Sequence, residues 1–351
     1  MAEGVREIVV QVDELREFVC ALYREAGVGR EDAELVAELQ VETDLRGVYS
    51  HGTRHAPSYI AQILAGDVNP TPEIRVQREG AGYVLVDGDG GLGHVASAAA
   101  MRAAIDKARA TGIAAAGVVN AGHFGAAECF TMMAAEERMI GFATTNTGGP
   151  SVVAPGGAER VVGNNPLSYA LPAGEEYPIV LDMACGVAAW GKILTMNMYG
   201  QPVPPEWFLG GDGETVTDPS EGHLMMPAAG PKGYGLVVVM GVLAGPLVGG
   251  LMSCHASDEP SKHFFIAVNV SSFTDFDAYA AEVDRGIRTV RASKTVEGVD
   301  WVYLPGEIEW RKREEWIESG IPLHVDHLRA LAEMGKRLGV EERQWSVASD
   351  Q

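Results

Sequence analysis

The pattern of apolar and polar positions predicts helices at both ends of the chain. Leu15, Val19 and Leu22, for example, fall on one helical stripe and are followed by glycines that end the helix. Two heavily charged segments near the C terminus are predicted to return and pack beside the N-terminal helices. The predicted terminal helices cover residues 12–26, 31–45, 57–65, 307–320 and 324–338.

Between these helices the period alternates between that of strands and that of helices, which is typical of a compact mixed α/β region. The turn EGAG between two short apolar stretches predicts a β-hairpin. A segment rich in Gly, Pro and acidic residues, 200–222, is expected to be a surface loop. Predicted strands cover 74–78, 83–87, 113–120, 140–146, 167–171, 179–181 and 263–270, and predicted helices cover 95–110, 126–138, 187–198 and 277–290.

Residues 235–254 form the one long uncharged run, GLVVVMGVLAGPLVGGLMSC. Its glycine spacing is also found in packed membrane helices, so a membrane span is one interpretation. Five glycines and Pro246 lower its apolar density, and no basic cluster follows it. We therefore predict a buried helix whose glycine face packs closely on a neighbour.

The composition and charge exclude several classes of protein. A chain of 351 residues with 46% hydrophobic and 21% charged residues is typical of globular proteins, not of disordered or fibrous ones. Lys and Arg total 27 against 48 Asp and Glu, so the net charge of -21 disfavours nucleic acid and anionic membranes as partners. An acidic substrate would need a local cation. Four separated cysteines and a charged N-terminal stretch predict a cytoplasmic protein without a secretory signal.

A glycine triplet, Gly88-x-Gly90-x-x-Gly93, follows a predicted strand and precedes a predicted helix, as in dinucleotide-binding Rossmann domains. The rest of that fingerprint is missing, because the strand belongs to a hairpin and the next strand ends in Asn120 instead of an acid. We therefore interpret the triplet as a tight turn that needs positive φ.

Histidines are better candidates for chemistry. His51 lies in a polar loop with Ser50 and Arg54, where a titratable ring, a hydroxyl and a guanidinium converge as general acid–base chemistry on a carboxylate requires. His123 follows a strand and precedes a helix, where α/β proteins usually bind ligands. His263 begins an apolar strand, where a histidine is more often structural.

Two charged residues have unusual surroundings. Asp182 ends an apolar strand, so it is either a helix cap or a functional partner. Lys232 starts the long apolar helix among glycines, where a cation opposes the helix dipole unless an anion binds there. The pairs His51/His55 and His324/His327 lack the acid of a zinc-binding helix, and we predict no metal site.

An ordered series of short motifs resembles the type 2 malate/L-lactate dehydrogenase family over nearly the whole chain. The family includes malate, sulfolactate and ureidoglycolate dehydrogenases, a diketogulonate reductase and a cyclic-imine reductase. The motifs are SHGTR (50–54), DGDGGLGH (87–94), GHFGAA (122–127), TTNTGG (144–149), VAPGG (153–157), GNNP (163–166), LDMA (181–184), WGKI (190–193), PKGYGL (231–236) and HFFIAVN (263–269).

The resemblance implies an α/β, non-Rossmann fold that binds NAD or NADP, with a central mixed α/β domain and a helical domain built from both termini. It implies an N-terminal helical part (1–73), a cofactor-binding α/β domain (74–290) and a C-terminal helical part (291–351). It also implies a homodimer with sites near the subunit interface.

By the same resemblance, His51 and His123 are acid/base histidines, and Ser50 and Asp182 are their polar partners. Arg54 is expected to hold the substrate carboxylate. In many members, however, the loop arginine stands where this chain has His55, and Trp190 replaces another frequent arginine. The cofactor contacts implied are Thr147, Asp182, Met183, Ala184, Lys232 and His263.

The function predicted from the sequence is hydride transfer between NAD(P) and a small 2-hydroxy or 2-oxo acid. Two alternatives stay open. One is reduction of a cyclic imine on the same scaffold, and the other is a cofactor-binding protein that has lost turnover. The sequence leaves open the choice between NAD and NADP and which histidine moves the proton.

Overall fold

The computed structural model describes residues 7–146, 148–218, 220–222, 224–256 and 259–341. Its helices begin and end close to the predicted positions. In α1 the predicted stripe of Leu15, Val19 and Leu22 is fully buried. The α-helices are α1 (Val12–Glu25), α2 (Arg30–Leu45), α3 (Ala56–Ala65), α4 (Gly93–Thr111), α5 (Glu128–Glu136), α6 (Trp190–Met198), α7 (Pro231–Leu243), α8 (Phe276–Arg291), α9 (Glu307–Ser319) and α10 (Val325–Leu338).

The described strands form three sheets, with the orders β1-β14, β11-β10-β12-β6-β7 and β2-β3-β4-β13-β5-β8-β9. The strands are β1 (Glu7–Val10), β2 (Arg75–Gly80), β3 (Tyr83–Gly91), β4 (Ile113–Ala121), β5 (Met139–Asn146), β6 (Val152–Val153), β7 (Arg160–Val162), β8 (Pro166–Leu171), β9 (Ile179–Ala184), β10 (Phe208–Leu209), β11 (Thr215–Val216), β12 (Leu224–Met225), β13 (Ser261–Asn269) and β14 (Ile321–His324).

The seven-stranded sheet is the centre of the fold. Strands β3 and β4 are parallel and are joined through α4, while the other neighbours in this sheet are antiparallel. Adjacent side chains of β13 point to opposite faces, as a strand requires. Phe265 packs in the core with α4 and α5, and Phe264 packs in the core with α6 and α7. The sheet is therefore covered on both faces.

Both ends of the chain build one helical core. Strand β1 pairs antiparallel with β14, and buried residues of α1, α2 and α3 pack with Leu328 and Leu331 of α10. Together with the central sheets, this arrangement confirms the predicted mixed α/β architecture with helices from both termini.

The predicted surface loop 200–222 is wrong in part. Phe208 and Val203 are buried, and β10 and β11 belong to the five-stranded sheet that packs on the α6 and α7 side. Strands of two or three residues carry too little periodicity to be recognised in a sequence. The sequence pattern therefore did not predict this small sheet.

The prediction of one buried helix over 235–254 is also wrong in part. Pro231–Val248 has the length and composition of a membrane span, the single such segment in the described chain, and 39% of it is buried. Helix α7 ends at Leu243, and a short 3-10 turn follows. Gly241 does pack closely, since a Cβ there would lie 2.8 Å from Asn165 Nδ2. The opposite side of α7 is exposed, however, with Val239 51% accessible.

The three glycines of the triplet are needed for a turn and for close packing of the backbone. Gly90 has φ of 67°, as the turn interpretation requires. Gly88 and Gly93 are needed for close packing, because a Cβ would lie 2.8 Å from the Ala121 Cβ and 2.1 Å from the Gly122 carbonyl oxygen. The triplet thus brings the start of α4 against the segment that carries His123.

A buried network ties the loop 50–54 to both helical ends. The Asp44 carboxylate on α2 accepts hydrogen bonds from the Thr53 amide (3.0 Å) and the Thr53 hydroxyl (2.5 Å). The same hydroxyl oxygen lies 3.0 Å from Nε2 of His327 on α10, which donates to it because the hydroxyl hydrogen is already used. Only glycine fits at position 52, since a Cβ would lie 1.8 Å from Asp44 Oδ1.

Replacing Thr53 by Val tests this network. Thr53→Val keeps the shape and the bond from the backbone amide but removes the hydroxyl that donates to the buried carboxylate and accepts from the buried imidazole. We therefore expect the free energy of unfolding in urea to fall by about 1–3 kcal/mol. The matched control is Thr289→Val, which removes an exposed hydroxyl that donates to Arg285 O. Equal stability of the two variants would show that the network does not anchor the loop.

Candidate active site

A cavity of about 1170 Å³ lies between the helical core and the central sheets. Its wall combines the loop 50–55, α3, the segment 123–127, the end of β9, the start of α6 and one side of α9. The titratable and charged residues lining it are Tyr49, His51, His55, Tyr59, His123, Arg160, Asp182, Lys192, Glu309 and Lys312. The cavity is thus the place where most of the candidate residues from different parts of the sequence meet.

His51 is held by its own loop. Its Nδ1 lies 2.9 Å from the Ser50 hydroxyl, and Nε2 of His55 lies 2.7 Å from the Ser50 carbonyl oxygen. The start of α6 closes the other side of the loop, because a Cβ on Gly191 would lie 2.6 Å from Ser50 O. The loop is therefore fixed between α2 and α6, with both histidine rings facing the cavity.

His123 enters the same cavity from the end of β4. Its Nδ1 lies 2.6 Å from the Tyr59 hydroxyl and accepts a hydrogen bond from the Gly125 amide at 3.2 Å. The His51 and His123 ring centroids are 5.8 Å apart. The two histidines singled out in the sequence, 72 positions apart, are thus brought face to face.

The histidines around the cavity are neutral at neutral pH. Burial, aided by the neighbouring His55, lowers the pKa of His51 to about 4. Burial and the surrounding imidazoles hold the pKa of His123 well below its usual range, and burial also lowers the pKa of His55. Neutral imidazoles can donate at one nitrogen and accept at the other, which suits proton transfer at a substrate oxygen.

His263 lies beneath the cavity, outside its lining. Its side chain is fully buried, with Nδ1 2.7 Å from the Thr145 hydroxyl and Nε2 3.1 Å from the Gly122 carbonyl oxygen. Its ring stacks on Phe124 with centroids 4.7 Å apart. This position makes His263 a support for the His123 segment, and its contact with a cofactor stays a prediction.

Asp182 opens onto the cavity from β9, and the neighbouring Met183 and Ala184 line the same wall. Its carboxylate accepts a hydrogen bond from the Glu128 amide at 2.8 Å. Burial raises the pKa of both Asp182 and Glu128. Glu128 has one carboxyl oxygen without a partner, whereas backbone amides stabilise the charged form of Asp182, so ionisation of Asp182 is favoured over that of Glu128.

The cations are distributed differently from the sequence prediction. Arg54 does not line the cavity, since its guanidinium donates to the Thr195 hydroxyl (2.9 Å) and lies against the Gly191 carbonyl on α6. Lys192, two residues further into the same motif as Trp190, does line it. Among the described residues no carboxylate forms an ion pair with Lys192, and its Nζ lies 5.6 Å from the Trp207 ring centroid.

The predicted cofactor contact Lys232 lies outside the cavity lining. It is exposed in the first turn of α7. Thr147 lies outside the described residues. The described part of the chain contains no group of three or more His, Cys, Asp or Glu side chains arranged to hold a metal ion.

The sequence matches the malate/L-lactate dehydrogenase family over residues 10–332. The chain belongs to this family. It is 36% identical to the malate dehydrogenase of Pyrococcus abyssi over 94% of each chain. It is also 30% identical to a Delta(1)-pyrroline-2-carboxylate/Delta(1)-piperideine-2-carboxylate reductase of Pseudomonas putida, over 93% of this chain and 96% of the relative.

A solved structure supports the same membership. The malate dehydrogenase of Pyrococcus horikoshii OT3 superposes with a TM-score of 0.88 at 35% sequence identity, over 97% of this chain and 98% of that chain. Agreement of sequence and fold over the full length means that the family relation covers the cavity and both helical ends, not one isolated motif.

Sequence reasoning missed several residues in and around this cavity. Tyr59 reads as an ordinary apolar position of α3, although it lies eight residues after His51 and four after His55. His94 was passed over within the glycine motif, yet it is buried with its ring 5.4 Å from that of Tyr59. Glu309 and Lys312 come from α9, which was predicted only as a charged helix that packs beside the N-terminal helices.

Proposed function

We propose that the protein is an NAD(P)-dependent oxidoreductase that interconverts a small 2-hydroxy acid and its 2-oxo acid. The observation that carries the proposal is the pair of neutral histidines, His51 and His123, whose rings face each other 5.8 Å apart in a large cavity. Membership of the malate/L-lactate dehydrogenase family supports the reaction class.

The cavity suits a nicotinamide cofactor in size and chemistry. At about 1170 Å³ it exceeds what a small acid alone requires. Asp182, which keeps its charge beside Glu128, would accept hydrogen bonds from ribose hydroxyls, and Met183 and Ala184 provide an apolar wall. Thr147 and Lys232 remain proposed contacts. When bound, the cofactor supplies or accepts the hydride.

The chain itself supplies proton handling at the substrate oxygen. Two imidazoles at one site allow one ring to carry the proton while the other donates a hydrogen bond to the same oxygen. Their lowered pKa values keep both rings neutral at neutral pH, so a hydroxyl proton can be accepted without prior loss of a proton from the imidazole.

A carboxylate in the cavity needs a cation because the protein carries a net charge of -21. We propose Lys192 for this role, since it lines the cavity near the His51 loop without a carboxylate partner among the described residues. Arg54 then holds α6 in place through its hydrogen bond to Thr195 and does not contact the substrate itself.

Cyclic-imine reduction is the second candidate. The relative from Pseudomonas putida is named as a reductase of two cyclic imine carboxylates, and it spans nearly all of this chain. Both substrate classes share a carboxylate next to the reducible carbon. In imine reduction the histidines would protonate or position nitrogen instead of oxygen.

We also propose a cytoplasmic homodimer formed through α7. Leu236, Val239 and Val242 on this helix are exposed, and Leu247 and Leu251 extend the same apolar stretch. Exposed apolar residues grouped in this way are typical of a protein–protein interface. The division into parts 1–73, 74–290 and 291–351 remains a proposal for limited proteolysis to test.

The first experiment follows loss of NADH, and separately of NADPH, with pyruvate, oxaloacetate, sulfopyruvate, diketogulonate and a cyclic imine, and runs ureidoglycolate with the oxidised cofactors. We expect turnover on an acid, and His51→Ala and His123→Ala each to lower kcat by about a hundredfold or more. His255→Ala, at an exposed histidine, should keep full activity. Cofactor binding without turnover on any substrate would favour a non-catalytic protein.

Lys192→Met and Arg54→Met separate the two candidate anchors. If Lys192 binds the carboxylate, its replacement should raise KM for the acid by about tenfold or more, while kcat and cofactor affinity change less. Arg54→Met should lower thermal stability with a smaller effect on KM. The reverse pattern would restore Arg54 as the carboxylate anchor.

Light scattering after size-exclusion chromatography tests the dimer. Val239→Asp places a charge on the exposed apolar side of α7, and we expect it to convert the dimer to a monomer. Val290→Asp, at an exposed apolar position of α8, is the control and should leave the mass unchanged. A wild-type protein that elutes with the mass of one chain would contradict the proposal.

A further inference from the structure

Nδ1 of His123 has two hydrogen-bonding neighbours in the protein. The Tyr59 hydroxyl oxygen lies 2.6 Å from it, and the Gly125 amide nitrogen lies 3.2 Å from it. Nε2 has no hydrogen-bond partner among the described residues and is not among their enclosed, unpaired polar atoms. The free nitrogen of this ring therefore faces the cavity.

These two neighbours determine which nitrogen carries the hydrogen. A backbone amide can only donate, so the Gly125 contact requires a lone pair on Nδ1. The Tyr59 hydroxyl, which can donate or accept, must then donate as well. A neutral imidazole holds a single hydrogen, and in His123 that hydrogen is consequently on Nε2.

The surroundings keep both donors in place. Tyr59 is 5% exposed, and its ring packs edge-on against His94 with centroids 5.4 Å apart. Gly125 has φ of 79°, and a Cβ there would lie 2.5 Å from Nε2 of His94. His94 thus packs behind both residues that contact His123, so neither has free space to turn away.

His51 is not restricted in this way. Within the described part of the chain its Nδ1 contacts only the Ser50 hydroxyl, at 2.9 Å, and a hydroxyl can donate or accept. His51 can therefore carry its hydrogen on either nitrogen and present a lone pair on Nε2 to the cavity. The two facing histidines therefore differ in which nitrogen can carry the hydrogen, although the pKa of each is lowered.

We propose that Tyr59 is a positioning residue that, with the Gly125 amide, fixes His123 as a hydrogen-bond donor at Nε2 and leaves proton transfer to His51. This assignment rests on the proposed function. In the oxidation direction, the hydroxyl proton passes to Nε2 of His51, the hydrogen on C2 leaves with its electron pair to the oxidised nicotinamide, and the C–O bond becomes a carbonyl. His123 donates to that oxygen throughout and keeps its hydrogen.

Nitrogen NMR of protein labelled with 15N only in histidine tests the tautomer without substrate or cofactor. The His123 resonances are assigned by their loss in His123→Asn. We expect wild-type Nδ1 of His123 to have the shift of an unprotonated nitrogen and Nε2 that of a protonated one. The opposite pattern would overturn the proposal, whatever the enzyme's activity.

Tyr59→Phe tests the positioning role, and Tyr23→Phe is the matched control because it removes an equally buried hydroxyl that donates to Gln40 in the helical core. We expect Tyr59→Phe to populate the other His123 tautomer and to lower kcat about tenfold with a smaller change in KM, whereas Tyr23→Phe leaves both unchanged. An unaltered tautomer and kcat in Tyr59→Phe would refute the role of Tyr59.

Failure of the proposed function and failure of the tautomer assignment give different results. If no substrate is turned over but the NMR pattern is as expected, the proposed function fails and the tautomer assignment stands. If turnover is found but His123 carries its hydrogen on Nδ1, the function stands and this inference fails.

Discussion

The cavity depends on how one short loop is held between the two ends of the chain. Thr53 donates twice to the buried carboxylate of Asp44, and its oxygen accepts from His327 on the C-terminal helix. Burial raises the pKa of Asp44 to about 7. An unpaired carboxylate would be unfavourable at this buried position, which is why its hydrogen bonds matter for stability. Because His51 lies two residues before Thr53, this network sets the position of the ring that we propose as the proton acceptor.

Burial also determines the chemistry of the site. His51 stacks on His123, His94 meets Tyr59 edge-on and His263 stacks on Phe124. In each of these histidines burial lowers the pKa. The cluster is therefore a set of neutral donors and acceptors whose directions are set by their neighbours. An acidic protein can in this way keep a site that does not repel a carboxylate, provided that a cation such as Lys192 lies at its wall.

Periodicity predicted the helices and strands that have long amphipathic patterns. It did not predict very short strands, or which face of a helix is buried by tertiary packing. Helix α1 and the central strands lie close to their predicted bounds because each has one continuous apolar face. The small sheet of β6, β7, β10, β11 and β12 was missed because its strands are two or three residues long. Helix α7 was predicted as buried because hydropathy alone does not distinguish a core face from an exposed apolar one.

The sequence by itself determined the family, the reaction class and the identity of His51, His123 and Asp182 as candidates, because those residues lie in short contiguous motifs. Only the tertiary structure decided that Arg54 turns towards α6, that His263 is enclosed and that Tyr59 contacts His123. These outcomes depend on contacts between residues 64 to 141 positions apart along the chain. Such contacts are set by how the sheet and the two helical ends pack together, which local sequence pattern does not encode.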